Sequence, residues 1–202
     1  MSTDTSDIQA APAPFNAPNG NLILRTADGY DFHVYKLILS HASPWFASMF
    51  TLPQDPNTPG AGGEIQKVPV TERSSDLDLL LRTIYSTPRP ELDWQRATTV
   101  LELGRKYDME VATQFVEFFL KENIKTSPVA VYAMARRFEL KSLAAKAAKE
   151  TLNISFEGLL HGHGALLDRM SGADIRELIA FHDVCGQPLG TVVPPSKLLG
   201  LV

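Results

Sequence analysis

The side chains in this chain best suited to acid–base, nucleophilic or metal chemistry are five histidines and a single cysteine. His161-Gly162-His163-Gly164 sets two imidazoles one residue apart in a glycine context, a pattern able to ligate zinc. A stable zinc site needs three or four ligands, so this pair is expected to be loop or helix-end residues. His182 and Cys185 stand three apart near a predicted helix end, a spacing open to ligation or to a Cys–His pair. His182 falls on an apolar stripe and cysteine is among the most often buried residues, so both are expected to pack. His33 alternates outward from Phe32 and Val34, which predicts a half-exposed surface position, and His41 is expected at a helix–helix contact. Neither has a carboxylate partner in its sequence neighbourhood. Gly60-Ala61-Gly62-Gly63 lacks the Gly-Lys-Ser/Thr ending of a phosphate-binding loop and the spacing of a dinucleotide site. No catalytic constellation, cofactor site or metal site is expected.

Charge narrows the partners. The net charge of −4 gives no electrostatic reason for a nucleic-acid or anionic-membrane partner. The basic stretch "RRFELK" and the lysines between 141 and 149 are interrupted by Glu139 and Glu150 and carry no interleaved aromatics, so they read as a solvated helix face. A lone Cys185 excludes an intramolecular disulfide and suits a reducing compartment. The N-terminal stretch has no basic region followed by an apolar core, and no uncharged apolar run approaches the roughly 20 residues that span a bilayer. A soluble intracellular protein, cytoplasmic or nuclear, is expected.

The elements that position these residues follow from periodicity. Residues 1–18 are rich in Ala, Pro, Ser and Thr without periodicity and predict a flexible lead-in. "NLILRT" reads as a strand, Asp28-Gly29 as a hairpin turn, and "YDFHV" as the returning strand. From Tyr35 the period lengthens into a short helix. Ser43-Pro44 then offers a cap followed by proline at the first helical position, opening a second helix with Phe46, Met49 and Phe50 on one face. "TLPQDPNTPGAGG" can only be loop, and "EIQKVPV" is a short strand whose Pro69 places it at an edge or an end. Leu77, Leu80, Leu81 and Ile84 form a helical stripe, and two more helices are predicted near 94–107 and 109–122, the second turned inward on Ala112, Phe115 and Phe119. Trp94 is expected to staple the start of its helix.

The remainder reads as helical. Ser127-Pro128 opens one helix, Leu140, Leu143, Ala144, Ala147 and Ala148 line another, and Ile175, Leu178, Ile179 and His182 share a face of the last. The small residues let helices approach closely, and this part is expected to pack on the preceding core. The predicted organisation is a flexible segment over 1–18, a domain over 19–124, a helical extension over 125–190 and a tail over 191–202.

"FHVYKLILSHASPWFASMF" resembles a BTB/POZ domain, in which a hairpin leads into a basic residue and an apolar helix, then a Ser-Pro-aromatic helix ending in Met-Phe. Phe32, Val34, Lys36, Leu37, Leu39, Ser43, Pro44, Phe46, Met49 and Phe50 carry the match. The likeness continues through "LLLRTIYSTPRPEL" and "VLELGRKYDMEVATQFVEFFLKENI". The pattern departs at Tyr35, where the family usually has His, and at Ser86-Thr87, where it has Thr-Gly. It departs again at Asn19-Gly20-Asn21, where an acidic residue is usual. The C-terminal helices are similar to extensions of fungal BTB-containing proteins.

The resemblance implies an α+β fold: a small three-stranded sheet flanked by helical hairpins and followed by further helices. It implies a non-enzymatic module for homotypic or heterotypic protein assembly, with a substrate adaptor of a cullin-3 ubiquitin ligase as the alternative. Adaptors of that kind carry a hydrophobic-x-Glu motif before the third core strand, and here that loop offers Gly62-Gly63-Glu64, without an apolar anchor. The missing acidic residue implies a homodimer weaker than the obligate ones. The expected interface residues are Leu37, Ile38, Trp45 and Met49, where Trp45 is either an aromatic anchor or part of a broad buried face shared with Phe46.

Overall fold

The computed structural model describes residues 8–52, 65–85, 88–155, 158–159 and 170–185. The chain divides into two compact units, residues 1–119 and 120–202.

The first unit is built on a four-stranded sheet. Its strands are β1 (Gln9–Ala10), β2 (Leu22–Arg25), β3 (Tyr30–Val34) and β4 (Gln66–Pro69), in the order β1-β3-β2-β4. β2 and β3 form the antiparallel hairpin that alternation predicts, pairing Leu22 with Val34 and Leu24 with Phe32. All four of these side chains are fully buried on one face. The turn needs a residue at positive φ, and Gly29 supplies it at 84°. Asp28 in the same turn accepts from both the backbone N–H (2.9 Å) and the hydroxyl (2.7 Å) of Ser74. The hairpin tip thereby caps a helix that starts 46 residues later. Desolvation acts to raise the Asp28 pKa, but the hydrogen bonds from Thr26 and Ser74 outweigh it and hold the carboxyl below its ordinary value. β4 lies parallel to β2 at the sheet edge, where Pro69 loses no ladder bond.

The fourth strand and the lead-in depart from the sequence reading. Where flexibility is predicted through residue 18, β1 runs parallel to β3. Gln9 N–H donates to the Gly29 carbonyl, Ala11 N–H to that of Asp31, and His33 N–H to that of Phe15. The segment ends by inserting Phe15, 1% exposed, against Phe32 and Tyr85. A sheet edge with unsatisfied amides and one large aromatic side chain are enough to order a stretch whose composition alone reads as linker.

Helices α1 (Lys36–Ala42) and α2 (Pro44–Thr51) follow the hairpin directly. α1 has no cap from its own N-cap residue; instead the Asn21 side chain accepts from Lys36 N–H at 2.8 Å. Gly20 allows the tight approach beside it, since a Cβ there would lie 2.8 Å from the Val34 nitrogen. Gly20 and Asn21 thus shape the entry to α1, in the stretch where the resemblance leads one to expect an acidic residue. Ser43 caps α2 as predicted, accepting from Phe46 N–H at 3.0 Å. Next come α3 (Ser74–Leu81), α4 (Trp94–Lys106) and α5 (Glu110–Asn123). α3 buries Leu77, Leu79, Leu80 and Leu81, and α4 buries Ala97, Val100, Leu101 and Gly104. On α5 the fully buried line is Ala112, Val116 and Leu120, while the predicted Phe115 and Phe119 are half-buried. Phe119 instead meets Trp94 edge-on at 5.3 Å.

The second unit contains α6 (Pro128–Arg137), α7 (Lys141–Thr151) and α8 (Gly172–Cys185). Ser127 holds the cap position of α6 but its side chain makes no capping bond, contrary to expectation. α6 contributes Val129, Val131, Tyr132 and Ala135 to the core and α7 contributes Leu143, Ala144, Ala147 and Ala148, the small side chains allowing close packing. α8 is tied to α6 through Arg136, which reaches Asp174 at 2.6 Å and Glu177 at 2.7 Å.

Candidate functional site

The α1–α2 hairpin presents the residues singled out for an interface, and it is held by a buried polar network. Ser43 Oγ donates to the Tyr107 carbonyl, and the Tyr107 hydroxyl donates to Glu72. Lys106 pairs with the same carboxylate. Burial, then the bond to Glu72, raises the Tyr107 pKa and keeps the phenol protonated as a donor. Desolvation pushes the Glu72 pKa up, yet the hydrogen bonds from Lys106 and Tyr107 prevail and leave it below the ordinary value. The Tyr107 ring stacks on Phe46 at 5.1 Å, and Phe46 is 1% exposed. Burying Phe46 and Leu39 turns their helix neighbours outward.

Leu37 is consequently 79% exposed. With Ile38, His41 and Pro44 it forms one wall of a groove of about 910 Å³. The opposite wall comes from Ile84 and Tyr85 after α3 and from Val111 and Gln114 on α5, with Asp108 and Glu110 at one end. Tyr85 is fixed by its hydroxyl, which accepts from Tyr35 N–H at 2.9 Å, and burial raises its pKa despite that bond.

Of the four predicted interface residues, Leu37 and Ile38 share this groove. Trp45 and Met49 do not line it. Trp45 is 43% exposed and leans edge-on against Phe46 and Tyr107 at 4.9 and 5.3 Å, so it combines an anchored ring with an open edge. Met49 is half-buried. The sequence reading missed Ile84, Tyr85 and Val111 as groove residues, and it missed Phe118, 64% exposed on α5. A signal existed for the α5 pair. Val111 and Phe118 are seven apart, a second apolar line beside the one that enters the core.

The chemistry-bearing residues scatter. His33 is half-buried on β3, with an Nδ1 atom that is enclosed and lacks a hydrogen-bond partner. His41 is exposed on α1 rather than enclosed between helices. His182 packs as expected, 6% exposed, whereas Cys185 is exposed at the end of α8. His161 and His163, like Gly60-Ala61-Gly62-Gly63, lie outside the described residues. Among the described residues no group of three or more His, Cys, Asp or Glu side chains could hold a metal ion. No helix among them is long and apolar enough to cross a membrane.

A small sheet accompanied by helices, with a groove beside Leu37 and an exposed aromatic at Trp45, is an α+β domain whose surface chemistry suits contact with protein. Comparison with family models matches residues 21–124 to the BTB/POZ domain, more than half of the chain. This chain belongs to the BTB/POZ family, whose domains are protein–protein interaction modules. Comparison with curated proteins finds no match.

Proposed function

We propose that this BTB domain mediates homotypic or heterotypic protein assembly through the groove walled by Leu37 and Ile38, with Trp45 and Met49 on the adjoining face of the hairpin. The observation that carries the proposal is Leu37, 79% exposed on a groove whose far wall holds Val111, itself 37% exposed. A leucine left in water on a well-anchored helix gains by burial against a partner, about 1.5–3 kcal/mol for a full side chain. Self-association through this face is weaker than that of the obligate dimers of the family.

Sedimentation velocity from about 1 to 100 μM spans the affinities concerned. A mass that rises with concentration, and a rise lost in Leu37→Asp, is the expected result for homotypic assembly. A constant monomer removes the homotypic mode, and a constant dimer removes the claim of weakness. Affinity purification with wild type and Leu37→Asp then tests the heterotypic mode: partners retained equally by both place binding elsewhere.

A second reading is a substrate adaptor of a cullin-3 ubiquitin ligase. It draws on the helix pair α6–α7 that follows the domain, in the place where adaptor members carry shared C-terminal helices. The Gly62-Gly63-Glu64 position of the adaptor motif lies outside the described residues. Stoichiometric binding of purified cullin-3 would establish it. We also propose an intracellular location, cytoplasmic or nuclear, and kinship with fungal BTB proteins bearing a helical extension, on the strength of α6–α8.

A further inference from the structure

The second compact unit carries a trough of its own. α6, α7 and α8 enclose about 520 Å³ over an apolar floor of Ala144, Ala148 and Leu178, all buried, with Phe181 half-buried beside them. Along α8 the rim is acidic, but Asp174 and Glu177 are both held by Arg136, at 2.6 and 2.7 Å, so both carboxylates are engaged and one of their two negative charges is offset. Asp174 also accepts from the Ser171 hydroxyl, which fixes it further. Along α7 the rim is basic and uncompensated: Lys141 and Lys149 are exposed, and neither forms an ion pair with a described residue. Glu139, at the α6–α7 corner, has an interaction of its own. Between the two lysines Ala145 is exposed at the rim, with no side chain beyond Cβ to obstruct entry. The trough is thus apolar below and positive along one edge, in a chain whose net charge is −4.

We propose that this trough docks an acidic amphipathic helix of a partner protein. The occupant's apolar stripe lies on Ala144, Ala148 and Leu178, and two carboxylates about two turns apart face Lys141 and Lys149. Eight helical residues separate the lysines by about 12 Å along α7, and carboxylates seven or eight residues apart on a second helix span about the same length. The alanine floor leaves room for larger side chains from the incoming helix, the arrangement by which helices occupy grooves. A basic helix would have to compete with Arg136 for the α8 carboxylates, whereas neither α7 lysine is ion-paired with a described residue. Exposed ion pairs contribute little affinity, so the floor supplies most of the binding and the lysines supply selection and encounter rate.

The test is a display selection on the full chain from a pool of helical peptides, each about 14 residues, with a constant apolar stripe and randomised flanks. Enriched peptides are expected to carry Asp or Glu at i and i+7 or i+8, and to lose affinity as salt rises. The double change Lys141→Glu with Lys149→Glu should weaken them by about tenfold or more. Ala145→Trp should do the same by blocking the rim, and Lys146→Glu, exposed on α7 but outside the trough lining, should change little. Thermal melts verify that each variant folds; should Ala145→Trp fail to fold, the exposed lysine changes decide alone. Enrichment of basic or uncharged flanks, equal binding to the lysine variant, or no enrichment at all would overturn the proposal. So would sedimentation showing that the lysine variant abolishes a self-association that competes with the peptides, because the occupant would then be a second copy.

Discussion

His182 Nε2 stands 3.0 Å from the carbonyl oxygen of Thr151 and 3.1 Å from that of Ile154. Both neighbours can only accept, so Nε2 carries the proton and is shared between two carbonyls where α7 ends, that of Thr151 also accepting from Ile154 N–H. Replacing His182 with Ala removes the donor inside a buried site and should cost about 1–3 kcal/mol. Urea unfolding of the variant measures it, and a change below about 0.5 kcal/mol, typical of surface positions, would contradict the bond.

Glu72 makes the first unit sensitive to acid. Its folded pKa lies below the ordinary glutamate value of about 4.3, because its bonds to Lys106 and Tyr107 outweigh desolvation. A depressed carboxylate contributes stability that is fully present above the unfolded pKa and is lost as pH falls through the folded one. Stability of the wild type should therefore drop below about pH 4, while Glu72→Gln, less stable at neutral pH, should show a flatter acid limb. Parallel acid limbs for the two proteins would show that Glu72 contributes no such linkage.

Phe15 joins the lead-in to the core. Phe15→Ala empties a site 1% exposed and should cost about 3–5 kcal/mol. Deletion of residues 1–18 should destabilise the domain at least as much, because it also strips partners from the β3 edge. A truncated protein with an unchanged melting temperature would return the segment to the status of a linker.

Phe46 is the central ring of the hairpin, 1% exposed and stacked on Tyr107. Phe46→Ala should cost about 3–5 kcal/mol through lost burial and a cavity. The partly exposed Trp45, changed to Ala, should cost less in stability and more in partner binding. The reverse order in the two measurements would exchange their roles.

What was readable from the chain alone was what is local. Alternation over 22–34 set the hairpin and its inward face, Asp28-Gly29 set the turn, and Ser43-Pro44 set the start of α2. Each of these depends on residues a few positions apart, so periodicity and turn chemistry suffice. The groove was readable by halves: Leu37 and Ile38 came from helix patterning, whereas Ile84, Tyr85 and Val111 join them only because α3 and α5 return beside α1. The same holds for the lead-in. Nothing in an Ala- and Pro-rich stretch announces a strand, and β1 exists because the edge of β3 supplies its hydrogen bonds and the core supplies a socket for Phe15. The roles of His182 and Asp28 also rest on acceptors or donors that lie 28 to 46 residues distant. Hydrogen bonds and burial between remote segments depend on where the chain returns, and local propensity carries no record of that. Hence the family, the hairpin and one wall of the groove were determined by sequence, and the ordered lead-in, the far wall and the two troughs by tertiary packing.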